Sequence, residues 1–158
     1  MSAEGVHVVF GVGQVGRALS ARLAASGLDV RAVSLHRPSA LAPGVGWCAA
    51  DATNAEAASD AAKGASVVYQ CLNAPYTKWP HVFPPLQRGV LAAAERVGAV
   101  LVSLENVYGY GPTGGRPMTE SLPLAATTVK GRTRVAMTRE LLAASEGGRV
   151  RIAIGRWS

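Results

Sequence analysis

Cysteine, histidine and aromatic residues are scarce in this chain, and each scarcity excludes something. Two cysteines, Cys48 and Cys71, are too few and too far apart for a disulfide framework or a thiolate metal site. Both fall in predicted strands and read as small buried apolar residues. The three histidines, His7, His36 and His81, share no ligand spacing, so no metal is expected. His7 reads as an edge-strand residue and His81 as a surface residue. No apolar run reaches the roughly 18 residues that a membrane span needs. The start carries Glu4 instead of a basic cluster and runs at once into strand residues, so no secretory signal is read and a cytoplasmic protein is expected. Acidic residues number only 10 against 16 basic ones, a net charge of +6. The excess lies in the second half. Residues 1–80 hold 6 basic and 5 acidic side chains, and residues 81–158 hold 10 and 5. The basic residues do not interleave with aromatics, so an anionic small ligand accounts for the excess as well as nucleic acid does. Lys130, Arg132, Arg134 and Arg139 read as a partly solvated helix face.

What the chain does have is apolar residues, at 49% of 158, with abundant alanine and glycine. That is enough for one domain, residues 1–158, with a sizeable core. Strand and helix patterns alternate. Strands are predicted at about 6–10, 29–35, 45–50, 66–72, 99–104 and 149–154. Helices are predicted at about 14–26, 54–63, 83–98 and 127–146. Thr53 or Asn54 caps the second helix, and Gly98 stops the third. Pro80, Pro84 and Pro85 read as loop punctuation before that third helix. Repeated β-α units imply a parallel sheet with right-handed crossovers and helices on both faces. Ligands of such sheets bind beyond the carboxyl ends of the strands.

Residues 6–27, VHVVFGVGQVGRALSARLAASG, carry the most informative pattern. Gly11, Gly13 and Gly16 form G-x-G-x-x-G between a strand and a helix. Gly11 permits the turn, Gly13 leaves room for a pyrophosphate, and Gly16 lets the helix approach the strand. The helix N-terminus, at Gln14 and Val15, offers N–H groups to phosphate. Val15, Ala18, Leu19 and Leu23 are expected to form its buried stripe. No acid occurs at positions 34–38, where one would bind the 2′-hydroxyl of NAD. His36 and Arg37 stand there instead, which suits the 2′-phosphate of NADP or else a solvated loop. NADP or NAD is the expected cofactor, with NADP favoured.

Four stretches, GVGQVG at 11–16, DATN at 51–54, CLNAPYTKW at 71–79 and SLENVYGYGPTGGRPMTESLPL at 103–124, resemble the short-chain dehydrogenase/reductase superfamily. The likeness is to its extended or atypical branch of NAD-dependent epimerase/dehydratase-like proteins. It implies a doubly wound Rossmann sheet, truncated before the substrate-binding lobe that family members carry. It places Asp51 near the adenine, Leu72, Asn73 and Ala74 along the cofactor ribose, and the backbone around Ser103 near the nicotinamide. It implies an epimerase-, dehydratase- or reductase-like protein acting on a sugar or small carbonyl compound, or else a non-catalytic NAD(P)H sensor. Family pairing of the helices at 83–98 and 127–146 implies a homodimer, through a stripe including Leu86, Val90, Met137 and Leu141.

The departures from the family pattern are as informative. Alignment of residues 123–142 puts Lys130 and Arg134 where family enzymes have tyrosine and lysine of Tyr-x-x-x-Lys. The helper position falls on Leu104 or Asn106. Asn106, Tyr108 and Lys130 are therefore the candidate catalytic residues. Tyr108 and Tyr110 are either displaced acids or turn packing. Glu105 is either a general base or a partner of Arg116 or Lys130. Tyr76, Trp79 and Phe83 either wall a substrate pocket or pack over the sheet edge.

Overall fold

A computed structural model describes residues 5–157. Six strands, β1 (Val6–Phe10), β2 (Val30–Ser34), β3 (Val45–Ala49), β4 (Ala65–Gln70), β5 (Val100–Asn106) and β6 (Arg151–Trp157), form one parallel sheet in the order β3-β2-β1-β4-β5-β6. Four helices connect them: α1 (Gln14–Ala25), α2 (Ala55–Ala61), α3 (Trp79–Val97) and α4 (Val129–Glu146). This is the doubly wound Rossmann arrangement, with its order reversing between β1 and β4. The reversal splays the loops after those two strands apart and opens a crevice at the carboxyl edge.

The central strands read as continuous apolar runs because both faces of a parallel sheet are covered. Val8, Val9 and Phe10 of β1 and Val68 of β4 are fully buried. α2, α3 and α4 cover one face, through Ala58, Val90, Leu91, Ala94, Leu141 and Ala144. α1 lies on the other, over β1, β2 and β3. The expected caps form. Asn54 accepts from the backbone N–H of Glu56 and Ala57 at 3.0 and 3.1 Å, and Gly98 takes the left-handed C-cap at φ 70°.

Several expectations are corrected. α3 starts at Trp79, so Pro80, Pro84 and Pro85 lie within it. Pro80 sits in the first turn, where the missing N–H has no helical partner to lose, but Pro84 and Pro85 each remove an intrahelical bond. The buried Trp79 and Phe83 offset that loss, at about 2–3 kcal/mol each. α1 turns a different face inward: Gly16 and Ser20 are buried, whereas Val15 and Ala18 are exposed. Small residues let α1 lie close to the sheet, which an apolar count overlooks. His7 is on one of the two central strands and buried, not at an edge. Cys71 follows β4 instead of lying in it, and both cysteines are only half-buried.

Val90, Met137 and Leu141 are buried within the chain itself, so the stripe expected to pair two copies is occupied by its own core. Among the described residues, no helix is long and apolar enough to cross a membrane.

Candidate functional site

The crevice contains two cavities that meet at Gly13. The first, about 500 Å³, lies over the ends of β1, β2 and β4 and is lined by Gly11, Gly13, Ser34, Asp51, Leu72 and Asn73 among others. The second, about 410 Å³, runs toward β5 and is lined by Gly13, Gln14, Val15, Asn73, Asn106 and Arg134 among others. Gly11 turns the chain at φ 101°, where an added Cβ would stand 2.7 Å from the Cys71 carbonyl. A Cβ on Gly16 would stand 1.9 Å from the carbonyl oxygen of Gly11. A Cβ on Gly13 would meet nothing within 4 Å. It would project into the junction of the two cavities. Above that opening, α1 begins with no side-chain cap and no acid in its first turn. Free N–H groups and the positive helix end thus face a space that only glycine leaves clear, which fits a pyrophosphate.

The other candidates divide by position. Asp51 lines the first cavity, its carboxylate accepting from the N–H and hydroxyl of Thr53 at 2.8 and 2.7 Å. Those bonds hold it below the usual carboxylate range. His36 and Arg37 stand exposed at the rim. Arg37 lies 5.6 Å over the Trp47 ring, and Ser34 ties the loop by donating to the His36 carbonyl at 2.8 Å. Asn73 accepts from the N–H of Ala74 at 3.0 Å.

Ala74 and Ser103 lie outside both cavities, buried in the fold. Ala74 is buried, its carbonyl accepting from the Trp79 indole at 3.0 Å. Ser103 is fully buried in β5 with its hydroxyl unpartnered. Cys71, not foreseen as a site residue, lines both cavities, and burial pushes its thiol up to about 11.

The β5 end gathers a cation–aromatic cluster. The Lys130 ammonium sits 3.8 Å from the centre of the Tyr76 ring, and the Tyr76 phenol donates to that of Tyr108 at 3.2 Å. That bond pushes the Tyr108 phenol above the ordinary tyrosine range, with Lys130 pulling the other way. Asn106 lines the second cavity, but its side-chain oxygen already accepts from the Tyr108 N–H at 3.1 Å. Trp79 and Phe83 are core residues, and Tyr76 alone of that trio is exposed.

Arg134 belongs to no solvated face. It is 5% exposed, with its guanidinium carbon 4.9 Å from the Trp79 ring centre and 4.1 Å from that of Phe83. Burial lowers its pKa and the nearby Glu105 opposes the shift. Glu105 pairs with neither Arg116 nor Lys130. It accepts from Thr138 at 2.8 Å and from Arg156 at 3.3 Å, tying β5, α4 and β6 together. The signal for this was the register: Glu105 alternates with the half-buried residues of β5 and shares the fully buried face with Leu101 and Ser103.

A third cavity, about 600 Å³, opens beyond this cluster and shares Tyr76 and Tyr108 with the second. The fold and the glycine turn define a dinucleotide-binding domain. The chain belongs to the NAD(P)H-binding family, whose model matches residues 11–144. No curated protein matches it. A short-chain dehydrogenase/reductase superfamily protein from Agrobacterium tumefaciens, solved with bound NAD, is 26% identical with a TM-score of 0.78, over 97% of this chain and 49% of that one. A UDP-glucose 4-epimerase is 16% identical with a TM-score of 0.83, over 96% and 50%. MoeE5, solved with UDP-glucose and NAD, is 23% identical with a TM-score of 0.75, over 96% and 53%. The chain thus spans about half the length of these structures.

Proposed function

We propose that this chain is the cofactor-binding part of an NAD(P)H-dependent reductase-like protein acting on a small carbonyl compound, with NADP preferred over NAD. One observation carries the reading: the cavity beside α1 runs, through shared Tyr76 and Tyr108, into a further pocket containing Lys130. A bound reduced nicotinamide supplies hydride. Gly13 and the N–H groups of α1 hold the pyrophosphate, Asp51 faces the adenosine end, and Arg37 pairs with a 2′-phosphate. Arg134 stands where family enzymes carry lysine, and its guanidinium donors orient the ribose. Lys130 stands where they carry tyrosine. Its ammonium gives a proton to the substrate oxygen, a step an arginine cannot perform. Tyr108 holds that oxygen by hydrogen bond.

The test is NADPH binding and NADPH oxidation with a panel of aldehydes, ketones and sugars. Lys130→Met should reduce turnover about 10²–10⁴-fold with cofactor affinity unchanged. Tyr108→Phe should act more weakly. Equal turnover in wild type and Lys130→Met refutes the assigned role. The absence of a phenol on α4 favours a second reading, a sensor that binds NADPH and turns nothing over. Binding without oxidation of any carbonyl would select it.

A further inference from the structure

The pocket beyond Tyr76 and Tyr108 has walls of a particular chemistry. At about 600 Å³ its volume admits a small sugar or a ring compound alike, so polarity decides between them. Tyr110, Pro112, Met118 and Val129 supply apolar and aromatic surface. Among the described residues, no aspartate, glutamate, asparagine or glutamine lines it. Two of its hydroxyls already accept a hydrogen bond. The Thr128 side chain accepts from the Gly131 N–H at 3.1 Å, and the Tyr110 phenol accepts from Arg156 at 3.1 Å. Thr127 adds one further hydroxyl, and the polar groups at the cofactor side are the Tyr76 and Tyr108 phenols with Lys130.

A sugar brings several hydroxyls, each losing water on entry and each needing a partner. This pocket meets them with a mostly apolar wall and few polar groups. We propose that it takes an apolar, ring-bearing ketone or aldehyde whose single carbonyl oxygen points at Lys130 and Tyr108, and that it rejects nucleotide sugars and free sugars. This rests on the reductase reading for the reaction, and the ligand class rests on the walls that this chain supplies. In that reaction hydride adds to the carbonyl carbon, the ammonium proton of Lys130 goes to the oxygen, and the products are an alcohol and the oxidised cofactor. The neutral lysine then regains a proton from solvent.

Calorimetric titration of the chain with 2-acetonaphthone, with and without NADPH, tests the assignment. UDP-glucose and glucose serve as competitors. Val129→Asp and Met118→Asp place a carboxylate on the wall at positions 58% and 53% exposed, so the fold tolerates both. The expected result is saturable binding of the ketone, weakened at least about tenfold by either substitution, with NADPH affinity unchanged and neither sugar displacing it. Turnover, where present, should favour the ketone over UDP-glucose by about 10²-fold or more in kcat/KM. UDP-glucose displacing the ketone, or ketone binding indifferent to both aspartates, overturns the ligand class. Failure to bind NADPH refutes the reductase reading instead, while aspartate-sensitive ketone binding to the free chain still supports the pocket's ligand class. A wild-type dimer made monomeric by Val129→Asp, with no ketone bound, would make this wall an interface and overturn the proposal.

Discussion

Gly13→Val separates binding from folding more cleanly than any other substitution here. The Gly13 backbone has φ −68° and ψ −168°, which any residue adopts, and a Cβ there has nothing within 4 Å. The fold therefore loses only the N-cap preference for glycine over valine, about 1 kcal/mol. For a chain of 158 residues that corresponds to a fall in Tm of roughly 2–4 °C. The ligand loses far more. Two methyl groups would occupy the junction of the cavities, directly over the free N–H groups of α1. Losing two charge-assisted bonds to phosphate, at about 1.5–3 kcal/mol each, weakens NADPH at least about 10²-fold.

Gly16→Val is the contrast. Its Cβ would stand 1.9 Å from a backbone oxygen, which has no rotamer to adopt, so α1 must lift off β1 and the chain should fail to fold. Differential scanning fluorimetry and NADPH titration on both variants suffice. Wild-type NADPH affinity in Gly13→Val, or a loss of more than about 10 °C in Tm, refutes the geometry.

Three further outcomes follow from other parts of the molecule. Arg37→Ala should weaken NADPH about tenfold while leaving NADH unchanged, because an exposed rim guanidinium meets only the 2′-phosphate; an unchanged ratio of the two affinities removes the NADP preference. Glu105→Ala should cost about 3 kcal/mol, since a carboxylate 1% exposed then no longer neutralises Arg156 and the buried Arg134; thermal unfolding reads this as roughly 6–12 °C. Burial lowers the His7 pKa below its usual 6.5, so the unfolded chain binds the proton more readily; stability should fall as pH drops below about 6.5 toward the folded value, and urea titrations from pH 7.5 to 5 should lose that component in His7→Phe.

The glycine turn was legible because each glycine answers to a separate steric demand, and the demands lie within six residues of one another. The strands were legible for a similar local reason: β-branched runs bounded by glycine and polar loops leave few alternatives. What escaped was set by contacts distant in sequence. Prolines at 80, 84 and 85 argue locally against a helix, yet burial of Trp79 and Phe83 against Met137 on α4 holds one there. Arg134 looks solvated on a helix where Lys130, Arg132 and Arg139 repeat the same charge. Only the approach of α3 sandwiches it under Trp79 and Phe83.

The same distance hid the partners of Glu105. Arg156 is 51 residues away, on a strand whose last residues had no periodic signal to extend it. The glycine turn at the cofactor end of the crevice is thus one contiguous segment and can be read from it, while Ser34, Asp51 and Asn73 join it from other strand ends. The reacting end is assembled from α3, α4, β5 and β6, and its aromatic and cationic groups acquire meaning only where those elements meet. On the proposed reading, a chain that keeps the glycine turn and carries Lys130 and Arg134 at the other end retains the cofactor and changes what is presented to it. On the same proposed reading, Lys130 and Arg134, and not the glycines, are therefore the positions on which the chemistry turns.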